Sequence, residues 1–167
     1  MFATTHILTS VVISQHIQSS WWAFFISLAS HYLLDLIPHG DAPLGPWMTV
    51  DQKKRRLIYV LGTDAFCTIL YLSILWLYGD LPNLSILIPA MVGSVLPDFI
   101  WLVSYVLKKR DFKKNILPLI ASVLDRVNAF HHAIHSVINQ KIQKLWPGLL
   151  IQLIFIGGLI YLTISWR

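Results

Sequence analysis

Residues 57–79 and 84–107 are long apolar runs, and a third such run covers 146–166. A helical membrane span takes ~20 predominantly apolar residues, so these runs point to a helical membrane protein before any motif is considered. Composition agrees. The 167 residues are 56% hydrophobic and 13% charged, where average globular usage is roughly 25% charged. Periodicity and breakers divide the chain into six helical segments, at about 3–17, 20–37, 57–79, 84–107, 115–140 and 146–166. The first two read as a hairpin broken around "QHIQSS", and segment 3–17 is short for a span and fits a re-entrant arrangement. Segment 115–140 is amphipathic. The expected fold is therefore all-α: one integral membrane domain over 1–167, built as a multi-pass bundle of about five to six helices with one amphipathic helix. The single cysteine, Cys67, excludes an intramolecular disulfide framework. "MFATTHILTS" has neither the basic region nor the small-residue cleavage signature of a cleavable signal peptide.

The formal net charge of +5 does not indicate nucleic acid, because the bases cluster in short loops beside apolar runs. They lie in "DQKKRR" (51–56), in "KKRDFKK" (108–114), and at Lys141 and Lys144. Short basic loops belong on the cytoplasmic side of a membrane. With 51–56 inside, the third segment runs outward, "GDLPN" lies outside, and the fourth returns to a basic exit. One topology satisfies every basic cluster. Trp21, Trp22, Trp146 and Trp166 read as interfacial anchors.

Within this frame the stretch "SHYLLDLIPHGD" (30–41) is unusual. It carries His31, Asp35, His39 and Asp41 at the end of an apolar helix, where an ionisable group costs on the order of 2.5–3.5 kcal/mol at mid-membrane. The chain has no glutamate; its eight acids are aspartates. Asp64 and Asp98 fall inside apolar segments, where an acid normally faces a cavity or a partner. The topology brings His6, His31, Asp35, His39, Asp41, Asp64, Asp98 and the histidines of "FHHAIHS" (130–136) to one membrane face, and leaves His16 and Asp80 near the other. His31 and Asp35 are spaced i,i+4, as are His131 and His135, so each pair shares a helix face. Imidazole and carboxylate on facing helices are how bundles build metal sites, and they suit zinc first and manganese second.

Plainer readings exist for each group. His31 with Asp35 can be a helix-steadying pair, His39 and Asp41 can be solvated turn residues, and Asp125 can pair with Arg126. "HHAIHS" can be the polar face of an interfacial helix. All of these holding together on one membrane face would be a coincidence, which favours a metal centre.

At these residues the sequence resembles a family of bacterial multi-pass proteins described as membrane-bound metal-dependent hydrolases. Its pattern has an early "H-x-L", a "G-S-x-x-P-D" element and a late "H-R-G-x-T-H-S". Here "THILTS" supplies His6, "GSVLPDFIW" supplies Asp98, and "FHHAIHS" supplies His131 and His135. The second acid and the His of the family's "P-D-I-D-H" are missing, as are the Arg, Gly and Thr of its last motif. A looser likeness is to the helical zinc-dependent phospholipase C group. The resemblance implies a metal-dependent hydrolase in a bacterial inner membrane, with its active face cytoplasmic. Its ligands would come from His6, His31, Asp35, Asp98, His131 and His135, with His39 and Asp41 as additional ligands. Asp64 and His132 would handle protons. The basic loops would attract an anionic headgroup, so the expected partners are membrane lipid and a lipid or phosphoester substrate, not nucleic acid. Two other classes compete: an ion or proton transporter, which needs acids strung across the bilayer, and a non-catalytic membrane scaffold.

Overall fold

The computed structural model describes residues 1–37, 39, 54–109, 118–139 and 145–165, with side chains described at 1–37, 39, 58–104, 122–134 and 147–165. Among the described residues there are six helices and no strand. They are α1 (Ala3–His16), α2 (Ser20–Asp35), α3 (Lys54–Tyr78), α4 (Leu84–Lys109), α5 (Pro118–Asn139) and α6 (Leu145–Ser165). Three of them contain stretches long and apolar enough to cross a membrane, Ile58–Tyr78, Leu84–Ser104 and Pro147–Ser165. α1 and α2 have 14 and 16 residues. At 1.5 Å per residue they are about 21 and 24 Å long, short of the ~30 Å hydrocarbon layer. The basic residues Lys53, Arg110, Lys113, Lys114, Lys141 and Lys144 and the loop "PHGDAPLGPW" apart from His39 lie outside the described residues, as do the side chains of Lys54, Arg55, Arg56, Lys108, Lys109, Trp146 and Trp166.

Cross-helix hydrogen bonds fix the relative directions. Thr4 at the start of α1 meets Asp64 and Thr68 of α3, and Phe2 meets Gln152 near the start of α6. At the far end of α1, Gln15 reaches the Thr163 carbonyl of α6, whose hydroxyl accepts from Tyr71 of α3. Thus α1, α3 and α6 run the same way. α2 returns antiparallel to α1, and α4 runs with α2: Ser20 bonds the Ser85 carbonyl at one end and His31 the Ser94 carbonyl at the other.

The short α1 is the inner helix of the bundle, packed against α2, α3, α4 and α6. Its buried face is small and polar: Thr4, Thr5, His6, Ser10 and Ser14. The Ser10 and Ser14 hydroxyls bond back to the carbonyls of Ile7 and Val11, which satisfies them where no water reaches. Val11 joins Leu75 and Leu87 in an apolar cluster between α1, α3 and α4. Outward faces are large and apolar, with Phe66, Ile69, Leu70, Leu153 and Ile154 exposed. Exposed Trp21, Trp22, Trp76, Tyr78 and Tyr161 gather at the end where α2 begins and α3 and α6 finish, the arrangement of an interfacial aromatic belt.

α2 and α4 form the most extensive pair, and one residue explains their closeness. A Cβ placed on Gly93 would lie 2.3 Å from the Phe24 carbonyl oxygen. Only glycine lets the two backbones meet there. Next to this crossing, Pro97 sits inside α4 and offers no N–H to the Gly93 carbonyl. In the same turn the Ser94 carbonyl accepts from outside the helix, from His31.

Candidate metal centre

His31 and Asp35 stack one turn apart on α2, and their side chains are essentially fully buried. Asp98 of α4 and His131 of α5 complete a group in which one ligand atom from each residue lies within 4.8 Å of all the others. His31 Nε2 is 3.0 Å from Asp35 Oδ2 and 3.9 Å from Asp98 Oδ1, and His131 Nε2 is 3.4 Å from Asp98 Oδ1. Ligands at about 2.0–2.1 Å from a tetrahedral metal are roughly 3.3 Å apart. The separations bracket that edge length, so the donor set fits a divalent metal by size and by chemistry.

The tautomer of His31 strengthens the fit. Its Nδ1 lies 2.7 Å from the Ser94 carbonyl, which can only accept, so Nδ1 carries the proton. The Nε2 lone pair is then turned toward two carboxylates. Although Nε2 is 3.0 Å from Asp35, no directed hydrogen bond forms there. Lone pairs converging in this way are a donor arrangement that a cation could bridge. A ligand imidazole whose other nitrogen is held by a backbone carbonyl is the usual outer-shell arrangement of a metal site.

His6 of α1 lies directly behind His31, with ring centroids 4.1 Å apart and the rings stacked. Its Nε2 is 3.4 Å from Asp35 Oδ1. The Met1 nitrogen is 2.9 Å from the same oxygen and 2.8 Å from His39 Nε2. His39 is buried and its Nδ1 is 2.6 Å from the Ile37 carbonyl. Burial pushes His6 down to about 3, against an opposing hydrogen-bond contribution from Asp35, so it is a neutral imidazole. Asp98 is the open side of the cluster, with 36% of its side chain exposed against 0% for His31 and Asp35 and 5% for His131. Tyr32 and Phe130 meet edge to face beside it, and Tyr32 also contacts His131.

Other residues singled out by sequence sit elsewhere. Asp64 accepts the N–H groups of Ala3 at 2.7 Å and Thr4 at 2.9 Å, and also the Thr4 hydroxyl. It caps the start of α1 from a neighbouring helix. His132 is exposed, 6.2 Å from His131 between ring centroids. His16 is exposed at the far end of α1. Asp41 and the His135 side chain lie outside the described residues.

Sequence reasoning missed Gln152. It is 2% exposed within apolar α6, accepts from Phe2 N at 2.9 Å and donates to the His39 carbonyl at 2.8 Å. The signal available was a lone amide deep in an apolar run, which must have polar partners.

Comparison of the chain with known protein families, with characterised proteins and with solved structures finds no match.

Proposed function

We propose that this chain is a membrane-embedded metal-dependent hydrolase. Its metal is zinc, with manganese as the alternative, held by His31, Asp35, Asp98 and His131. The observation that carries the reading is the convergence of these four side chains from three helices within 4.8 Å, with the His31 tautomer fixed by the Ser94 carbonyl. A divalent metal at this position would polarise a scissile bond and bring a water toward a pKa of ~7.

The chain's own residues supply the rest. Ser94 orients His31, and Asp98 lies at the open side, where substrate approaches. His132, exposed next to His131, is the group placed to exchange protons with solvent, a role suited to an imidazole near neutral pH. The bundle crosses the membrane in a multi-pass topology, and the positive-inside rule puts the centre at the cytoplasmic face of a bacterial inner membrane. Basic residues of 51–56 and 108–114 favour an anionic phosphoester or lipid-linked substrate. The motif resemblance at His6, Asp98 and His131 supports the same class.

The Met1–Asp35 contact at 2.9 Å favours a second reading, a scaffold whose buried charges only pin helices. Hydrolysis of phosphodiester and lipid phosphoester substrates in proteoliposomes separates the two. Metal-dependent turnover that Asp98→Asn abolishes supports the hydrolase. A protein that folds without metal and stays inert toward every substrate class supports the scaffold.

A further inference from the structure

Asp98, the open side of the four-residue cluster, falls inside Leu84–Ser104, the stretch of α4 long and apolar enough to cross a membrane. It lies six residues before the end of that stretch, about 9 Å at 1.5 Å per residue. A soluble substrate would have to leave water to reach it. From this depth and from the apolar wall beside Asp98 we infer that the substrate is a membrane lipid phosphoester, which enters sideways between α2 and α5 with its acyl chain against Tyr32 and Phe130. The inference rests on the proposed hydrolase centre and names its substrate class.

The wall comes from two helices that meet sparsely. α5 packs on α4 and only lightly on α2. Tyr32 of α2 and Phe130 of α5 face each other across that junction, edge to face, with ring centroids 5.2 Å apart. Tyr32 is also 6.3 Å from the His131 ring, whose Nε2 is 3.4 Å from Asp98 Oδ1. The aromatic pair therefore borders the cluster itself. Phe130 keeps 56% of its surface exposed, and at this depth in a membrane an exposed phenylalanine meets acyl chains rather than water.

Helical spacing extends the wall along α5. Val123, Val127, Phe130 and Ile134 recur at intervals of three and four residues and share one stripe, about 16 Å long by the same rise. Val123 is exposed, and Val127 and Ile134 are half-buried. Buried His131 lies to one side of this stripe, and exposed His132 lies beyond it. The metal ligand is thus flanked by an apolar edge, which fits an acyl chain, and by a polar edge, which water and protons reach. Arg126, exposed one turn before Phe130, adds a cation at the apolar edge, complementary to an anionic headgroup. A free phosphate uses the cation and the metal but leaves the stripe uncovered. A phosphoester that carries a chain accounts for both.

The probe is a phosphatidic acid bearing a photoactivatable diazirine in its acyl chain. Full-length zinc-loaded protein is reconstituted in vesicles of digalactosyl diacylglycerol, which contain no phosphate, and illuminated; labelled residues are read by mass spectrometry and metal by elemental analysis. Label should concentrate on Tyr32, Val127 and Phe130, above the outward Phe66 of α3 and Leu153 of α6. Unlabelled dioleoyl phosphatidic acid should displace it, and inorganic phosphate at the same concentration should not. The same chain on a diacylglycerol without phosphate should show no such concentration. Phe130→Ser should lower the displaceable label on Tyr32 about tenfold, the worth of burying one phenylalanine side chain, with metal content unchanged. Metal-loaded wild type labelled evenly over its outward apolar residues overturns the inference and leaves the hydrolase reading standing. Equal displacement by inorganic phosphate, or equal labelling by the diacylglycerol, does the same. Wild type that holds neither zinc nor manganese overturns both. The wild-type measurement decides even where the variant fails to fold.

Discussion

Asp64→Ala separates a structural acid from a catalytic one. The Asp64 carboxylate accepts from Ala3 N at 2.7 Å and Thr4 N at 2.9 Å, two of the donors that the first turn of α1 cannot pair internally. The Thr4 hydroxyl also bonds the Asp64 carbonyl at 2.9 Å and adjoins the Thr68 hydroxyl at 3.0 Å, so it keeps partners in the variant. The loss is therefore two charge-assisted bonds. Each N–H left without an acceptor costs about 1–3 kcal/mol, and the lost charge at a helix start adds ~0.3–1 kcal/mol. Asp64 is half-buried, so water recovers part of this, and about 2–4 kcal/mol of destabilisation remains. Ala3 N and Thr4 N bond different carboxylate oxygens, so Asp64→Asn keeps one acceptor and turns its NH2 toward the other N–H, and its cost should be about 1–3 kcal/mol, below that of Ala. Tryptophan-fluorescence unfolding in detergent should rank the proteins wild type, Asn, Ala. Metal should be retained at the four-residue centre in both variants, because its ligands sit on α2, α4 and α5. An Asp64→Asn protein of wild-type stability that has lost all turnover would refute the capping account and make Asp64 a proton carrier.

Other consequences follow from single contacts. Gly93→Ala would normally stabilise a helix by about 0.5–1 kcal/mol, but a Cβ 2.3 Å from the Phe24 oxygen must push α2 from α4. A cost of about 1–3 kcal/mol and reduced metal content are expected, read by melting temperature and elemental analysis. Gln152→Leu strips Phe2 N and the His39 carbonyl of their partner, at a cost of roughly 2–4 kcal/mol in the same unfolding assay. For His6, the folded pKa of about 3 lies below the unfolded value of about 6.5, so the unfolded chain takes the proton first on acidification. In chelator, stability should be full above about pH 6.5 and fall toward pH 3 by at most ~1.4 kcal/mol per pH unit. His6→Gln should flatten that slope.

Helix positions were legible because apolar run length and Pro/Gly breakers carry them. The segment read at 3–17 is Ala3–His16, and that at 84–107 is Leu84–Lys109. α2 stops at Asp35, before the expected 37, since the residue ahead of Pro38 is disfavoured in helix and Ile37 N turns back to the Leu34 carbonyl. α5 opens at Pro118, where a proline suits the first helical position.

The site was legible where spacing alone fixes a face, as for His31 and Asp35. In "HHAIHS", burial of His131 and exposure of His132 depend on how α5 is rotated against α2 and α4. An amphipathic pattern with polar residues on both sides does not set that angle. Asp64 shows a further limit. An acid within an apolar helix signals that a polar partner exists, but not that the partner is the backbone of another helix start.

Zinc K-edge absorption on the purified protein, paired with metal quantification, tests the central claim most directly. A stoichiometric metal with a nitrogen–oxygen shell near 2.0–2.1 Å and imidazole scattering, lost in both Asp98→Ala and His131→Ala, is the predicted result. Folded wild-type protein that takes up neither zinc nor manganese, or a metal whose shell is unchanged in both variants, would contradict it.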